Sequence, residues 1–162
     1  MTTKQEVAEA LRTSVQRAEK IAAGLSDADL TRPVLPGWTV KDVYAHLASL
    51  GASPSFFIAM AQRAASGAGG GGGMGSGFDI NAFNAQQVEK RKGMSLEELL
   101  AEFRQGHEQG IALIESTSDE VLEKKMPDPF RGGMSTALEM IQGSCAEHEA
   151  GHLDDVVAAL RA

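Results

Sequence analysis

The chain lacks most of what secreted, nucleic-acid-binding and membrane proteins depend on. It has one cysteine, Cys145, so no internal disulfide can form, and a lone thiol fits a reducing compartment. Positive charge is scarce: 15 Lys and Arg face 22 Asp and Glu, and the formal charge of −7 disfavours nucleic acid or an anionic membrane as a partner. Aromatics are only 5% of residues, whereas Met is plentiful at seven, a balance suited to a helical interior. No run reaches the roughly 20 apolar residues needed to span a bilayer. The first six residues, Met1 to Glu6, show no apolar stretch of the kind a signal peptide needs. A cytoplasmic protein acting on small molecules is the expectation.

What is present is helical periodicity. At 162 residues and 43% hydrophobic, the chain reads as one domain, 1–162, able to bury a core without staples. Val7, Leu11, Val15, Ala18, Ile21, Ala22 and Leu25 predict a first helix over about residues 3–25. A connector with Pro33, Pro36 and Gly37 follows. Thr39 starts a second helix, with Asp42 completing an acidic variant of the capping box. Pro54 predicts a kink or restart there, with Ser53 as cap. The glycine tract at 67–77 reads as a flexible loop: it has no G-K-[ST] ending and no preceding strand, as a phosphate-binding loop would. A short helix over about Ile80 to Lys92 is expected. A Ser95–Glu98 capping box opens the next long helix, whose stripe is Leu96, Leu99, Leu100, Phe103, Ile111 and Ile114. After a loop with Pro127, Pro129, Gly132 and Gly133, Ser135 is the expected cap of a last helix carrying Leu138, Ile141, Val156 and Ala159. No convincing strand appears. The expectation is all-α: a four-helix bundle with a long, partly helical connection between the second and third helices.

The chemistry concentrates in His148-Glu149-Ala150-Gly151-His152. Histidines four apart stack on one helical face, so two ring nitrogens can close on one metal ion. At about 100° per residue, both histidines fall with Ile141, Val156 and Ala159, predicting an inward orientation. His46 falls with Val43, Leu50 and Phe57 on the second helix and is expected to face inward too. Several buried imidazoles are costly unless paired, and one divalent ion would satisfy three of them, leaving an open position. His107, on the Leu99–Phe103–Ile111 stripe, competes with His46 for the third place, and periodicity does not choose between them.

The string also fits H-E-x-x-H, the zinc-protease motif. Its extended form would need Gly at 155 and His at 158, where the chain has Asp155 and Ala158, and only ten residues follow His152. Glu149 is turned away from the histidines and reads as a helix-surface carboxylate rather than a catalytic base. The motif is therefore read as a metal site without protease chemistry.

Three segments, taken together, resemble the DinB/YfiT-like superfamily, including the N-terminal domain of mycothiol-dependent maleylpyruvate isomerases. They are Pro36-Gly37-Trp38-Thr39 through His46-Leu47, the stretch Phe83-Asn84-Ala85, and Met134 to Leu138 leading into His148-Glu149-Ala150-Gly151-His152-Leu153. The resemblance implies a four-helix bundle of that type and a divalent metal, zinc or nickel, held by His46, His148 and His152. It selects His46 over His107. It implies transfer or isomerisation chemistry with a low-molecular-weight thiol such as mycothiol or bacillithiol, and it suggests a homodimer. Relatives often carry Gln three residues after the last histidine, where this chain has Asp155. Asp155 is then the carboxylate expected to orient an imidazole or act as base. A non-catalytic metal-binding bundle associated with stress, and a metal-assisted hydrolase, are the rival expectations. Cys145 reads as a buried small hydrophobe, Trp38 as a staple before the cap, and Arg131 as a surface arginine able to meet an anion.

Overall fold

The computed structural model describes residues 1–68 and 77–162. Most of the glycine tract read as a loop, 69–76, lies outside the described residues. The first helix, α1, spans Lys4–Ala23 and is opened by a reciprocal capping box between Thr3 and Glu6. A short helix α2 (Asp27–Leu30) is capped in the same way by Ser26 and Asp29. The chain then makes a small hairpin, β1 (Pro33–Leu35) and β2 (Trp38–Thr39), turning at Gly37, whose φ of 80° favours glycine. This hairpin corrects the strand-free expectation, as does a second one formed by β3 (Met126–Pro127) and β4 (Met134–Ser135). Both pairs are too short to show an alternating pattern.

Thr39 and Asp42 cap α3 (Val40–Leu50), as the sequence predicts. At Gly51–Ala52 the helix restarts as α4 (Ser53–Ala65), with Pro54 in its first turn. Ala52, rather than Ser53, holds the cap position, and its side chain makes no capping bond. Together Val40–Ala65 has the length and apolarity of a membrane span, but 56% of its most apolar window is buried inside the bundle. It is the bundle's core helix. Exposed α5 (Ile80–Lys90) lies in the connection to α6 (Leu96–Ser116), which Ser95 and Glu98 cap as expected. After α7 (Asp119–Leu122) and the second hairpin comes the last helix, which departs from the expectation twice. Its cap is Thr136, paired with Glu139, one residue beyond Ser135. It is also not one regular helix: α8 (Ala137–Ile141) passes through a π-helical stretch, Gln142–Glu147, into α9 (His148–Arg161).

The four main rods are α1, α3–α4, α6 and α8–α9. α6 packs against α1 and α3–α4, and the last rod packs against the same two, so α6 and α9 face each other across the bundle diagonal. The core has two parts. One gathers around Leu11, Phe57, Ile114 and Ile141. The other gathers around Val43, Leu47, Leu99, Phe103 and Leu153.

Candidate metal centre

His46, His148 and His152 meet where α3 passes α9. His148 Nε2 lies 3.3 Å from His46 Nε2 and 3.1 Å from His152 Nε2, and one ligand atom from each ring falls within 4.8 Å of the others. The three rings stand nearly perpendicular to one another, with centroids 4.5–5.6 Å apart. A ring nitrogen either donates or accepts, so His148 Nε2 cannot make a good hydrogen bond to both neighbours. A cation at their meeting point would take all three lone pairs, and three imidazole donors with an open side suit a divalent ion of the zinc type. The residues fit such an ion.

The electrostatics point the same way. Burial, reinforced by His152 and His148, pushes the His46 pKa down to about 3. Burial also lowers His148, against the raising effect of the Glu149 carboxylate. His152 is lowered by burial and by His148, with Asp155 and Glu149 opposing. All three rings are thus held in the neutral form that ligates metals.

The positions of these side chains correct the sequence reading in one respect. His46 is buried, as expected, but His148 is exposed and His152 only half-buried. The buried stripe of this rod runs through Cys145, Glu149, Leu153 and Val156, and Glu149 is fully buried. The histidines occupy the edge of the stripe, at the seam with α3. The helical-wheel reading failed because it chose the wrong centre for the stripe and assumed regular geometry through the π-helical stretch. The misplacement matters chemically, since an edge position gives the site an open, solvent-facing side.

Glu149 is therefore not a surface carboxylate. Its carboxylate accepts from Ser14 Oγ at 2.6 Å and lies 2.9 and 3.0 Å from His107 Nε2 through its two oxygens. His107 is accounted for by this contact and does not join the three-histidine cluster. The available signal was the spacing of Glu149, four residues from both Cys145 and Leu153.

The remaining candidates separate clearly. Asp155 is half-exposed, its Oδ2 4.0 Å from His152 Nδ1. Asp42 is occupied by its cap, accepting from the Thr39 amide and hydroxyl. Cys145 is fully buried, and burial together with the Glu149 carboxylate raises its pKa well above the ordinary thiol value, which makes it inert. Arg131 crosses Gly143, within reach of Asp128 Oδ2 at 3.4 Å and donating to the Glu139 carbonyl. Trp38 precedes the cap as expected, but its ring also lies 5.0 Å from His46 and 6.4 Å from His152, forming a wall of the site that the sequence did not reveal.

A model of the DinB superfamily matches residues 10–156, and the chain belongs to that superfamily. No curated protein matches the chain at the sequence level. Among solved structures, it is similar to YfiT from Bacillus subtilis, described as a probable metal-dependent hydrolase with an unusual four-helix bundle topology (19% identity, TM-score 0.74, 98% of this chain and 86% of that one). It is similar to the colibactin self-resistance protein ClbS, solved with double-stranded DNA (17% identity, TM-score 0.72, 99% and 96%). It also resembles a mycothiol-dependent maleylpyruvate isomerase (15% identity, TM-score 0.69), covering 96% of this chain but 63% of that protein. At these identities the likeness establishes the shared bundle fold.

Proposed function

We propose that this chain is a metal-dependent transferase in which His46, His148 and His152 hold a divalent ion, zinc or nickel, and a low-molecular-weight thiol is activated for attack on an electrophilic small molecule. The observation that carries this reading is the convergence of three neutral imidazole nitrogens beside an open face. A divalent ion bound there supplies the Lewis acidity that makes a thiol or a water a competent nucleophile near neutral pH. The protein residues do the rest. His46, anchored in the core, fixes one corner of the site and excludes water from behind. Trp38 walls the site on the α3 side. Asp155, one turn beyond His152, has its Oδ2 4.0 Å from that ring's Nδ1, outside hydrogen-bond distance; a small side-chain shift would let it orient the ring or accept a proton from a nucleophile arriving from solvent. A mycothiol-dependent relative of the same fold favours the thiol.

The likeness to YfiT favours a second reading, metal-assisted hydrolysis with water as the nucleophile. A rate panel separates the two. A set of low-molecular-weight thiols is offered with a chromogenic electrophile, with and without a chelator. The transferase reading expects thiol-dependent turnover that the chelator abolishes. Ester or amide hydrolysis without thiol, equally chelator-sensitive, favours the hydrolase. No chelator-sensitive rate in either assay leaves a metal-binding bundle without turnover. The metal itself is tested by elemental analysis: near one divalent ion per chain is expected in wild type and much less in His148→Ala, and either no ion in wild type or an equal load in the variant would sink the proposal.

A further inference from the structure

Ser14, His107 and Glu149 form a polar layer across the middle of the bundle. Ser14 lies between Leu11 and Val15, His107 between Phe103 and Ile111, and Glu149 between Cys145 and Leu153, so each separates residues of the two apolar cores. All three are buried, His107 and Glu149 completely. Buried carboxylates are costly unless their oxygens are bonded. Here the Ser14 hydroxyl from α1 and His107 Nε2 from α6 both bond Oε2, while Oε1 makes no hydrogen bond and lies 2.9 Å from the same His107 nitrogen. His107 Nδ1 is buried without a partner. The layer therefore commits two other rods to one carboxylate on α9.

We propose that Glu149 is a positioning residue for the metal centre: its buried bonds fix the roll of α9 that aims His148 and His152 at His46, and its charge offsets that of the bound cation. This rests on the metal reading above. Glu149 follows His148 directly and precedes His152 by three residues, so α9 cannot turn about its axis to swing either ring away without breaking both buried bonds. Imidazole ligates in its neutral form, so a dication bound by three of them would sit at the seam with no compensating charge among its ligands. A fixed carboxylate on the adjoining side of the same helix supplies one in a medium of low dielectric, where it acts strongly. Partners of this kind, which orient ligating histidines, typically change metal affinity by about 10–100-fold when removed.

The test uses metal-stripped wild type, Glu149→Gln and Ser14→Ala. Each is titrated with Zn²⁺ against a chromophoric chelator, and with Co²⁺ followed by its visible absorption. Glu149→Gln keeps the size and an acceptor for Ser14 but removes the charge. Its Zn²⁺ affinity should fall by about tenfold or more, with an altered Co²⁺ band and unchanged far-ultraviolet dichroism. Ser14→Ala keeps the charge, releases one anchor and suits a helix, so it should fold and show a smaller loss with a shifted Co²⁺ band. It decides the matter alone if Glu149→Gln does not fold. A merely structural role would lower the melting temperature of the metal-free variants yet leave the Co²⁺ band in place. If both variants match wild type in affinity and spectrum, the positioning role is overturned and the metal centre stands. If wild type takes up neither ion, the metal centre itself falls and the positioning role with it.

Discussion

The three clustered imidazoles differ from ordinary histidines in where their protons go. Each has a pKa below the ordinary imidazole value of 6.5, and burial takes His46 down to about 3. In the unfolded chain these rings take up protons as the pH falls through 6.5, while the folded rings resist. The unfolded state then binds more protons, so folding stability declines with falling pH across that interval. The contribution is fully present above pH 6.5 and is lost as the pH falls toward the depressed values. Metal-free protein should therefore melt at steadily lower temperature from pH 6.5 to 4.5, and His46→Gln should flatten that slope. An equally steep slope in the variant would show that His46 is not held neutral by the fold. Trp38 is the only tryptophan in the chain and stands against the same ring, so it doubles as an optical probe. Titration with Ni²⁺ should quench its emission in wild type and leave it unchanged in His152→Ala.

At the scale of elements, His46 reaches the site because α3 can lie close to α6. A Cβ on Gly106 would overlap the Gly51 carbonyl, and one on Gly110 would come within 2.6 Å of Pro54 Cβ. These contacts are with backbone and a rigid ring, so they have little room to give. Gly106→Ala should destabilise the bundle by about 1–3 kcal/mol, as over-packing does, read as a lower urea midpoint. Because α3 would be pushed from its seat, Zn²⁺ affinity should weaken as well; unchanged midpoint and affinity would mean the rods are spaced by something else. On the other side of the site, the π-helical stretch ends at Glu147, immediately before His148. Its wider turn resets the rotation of the rod, which places Glu149 toward α1 and α6 and the histidines toward α3.

For the molecule as a whole, the three-histidine cluster joins two segments far apart in sequence, α3 and α9. A ligand that binds only the folded form adds stability by mass action, about 2.7 kcal/mol when present at a hundred times its dissociation constant. Zn²⁺ at that excess should therefore raise the unfolding free energy of wild type by about that much, read as a higher midpoint, and leave His148→Ala unmoved. A shift of equal size in the variant would place the ion elsewhere on a surface rich in carboxylates.

How much was legible in advance follows from the range of each interaction. Capping boxes at Thr39–Asp42 and Ser95–Glu98, the restart at Pro54 and the apolar stripes of α1 and α6 are set by residues three or four apart, and these the sequence determined. It also supplied the three histidines, two by helical spacing and the third by family resemblance. It could not show which flank of the last rod is covered, because that depends on α1 and α6 arriving from more than 40 residues away, as the Glu149 contacts with Ser14 and His107 demonstrate. Nor could it show the π-helical stretch, which breaks the 3.6-residue period on which the helical wheel relies. The list of side chains was local information; only the packing of the four rods decided that the histidines stand at the open seam and Glu149 in the core.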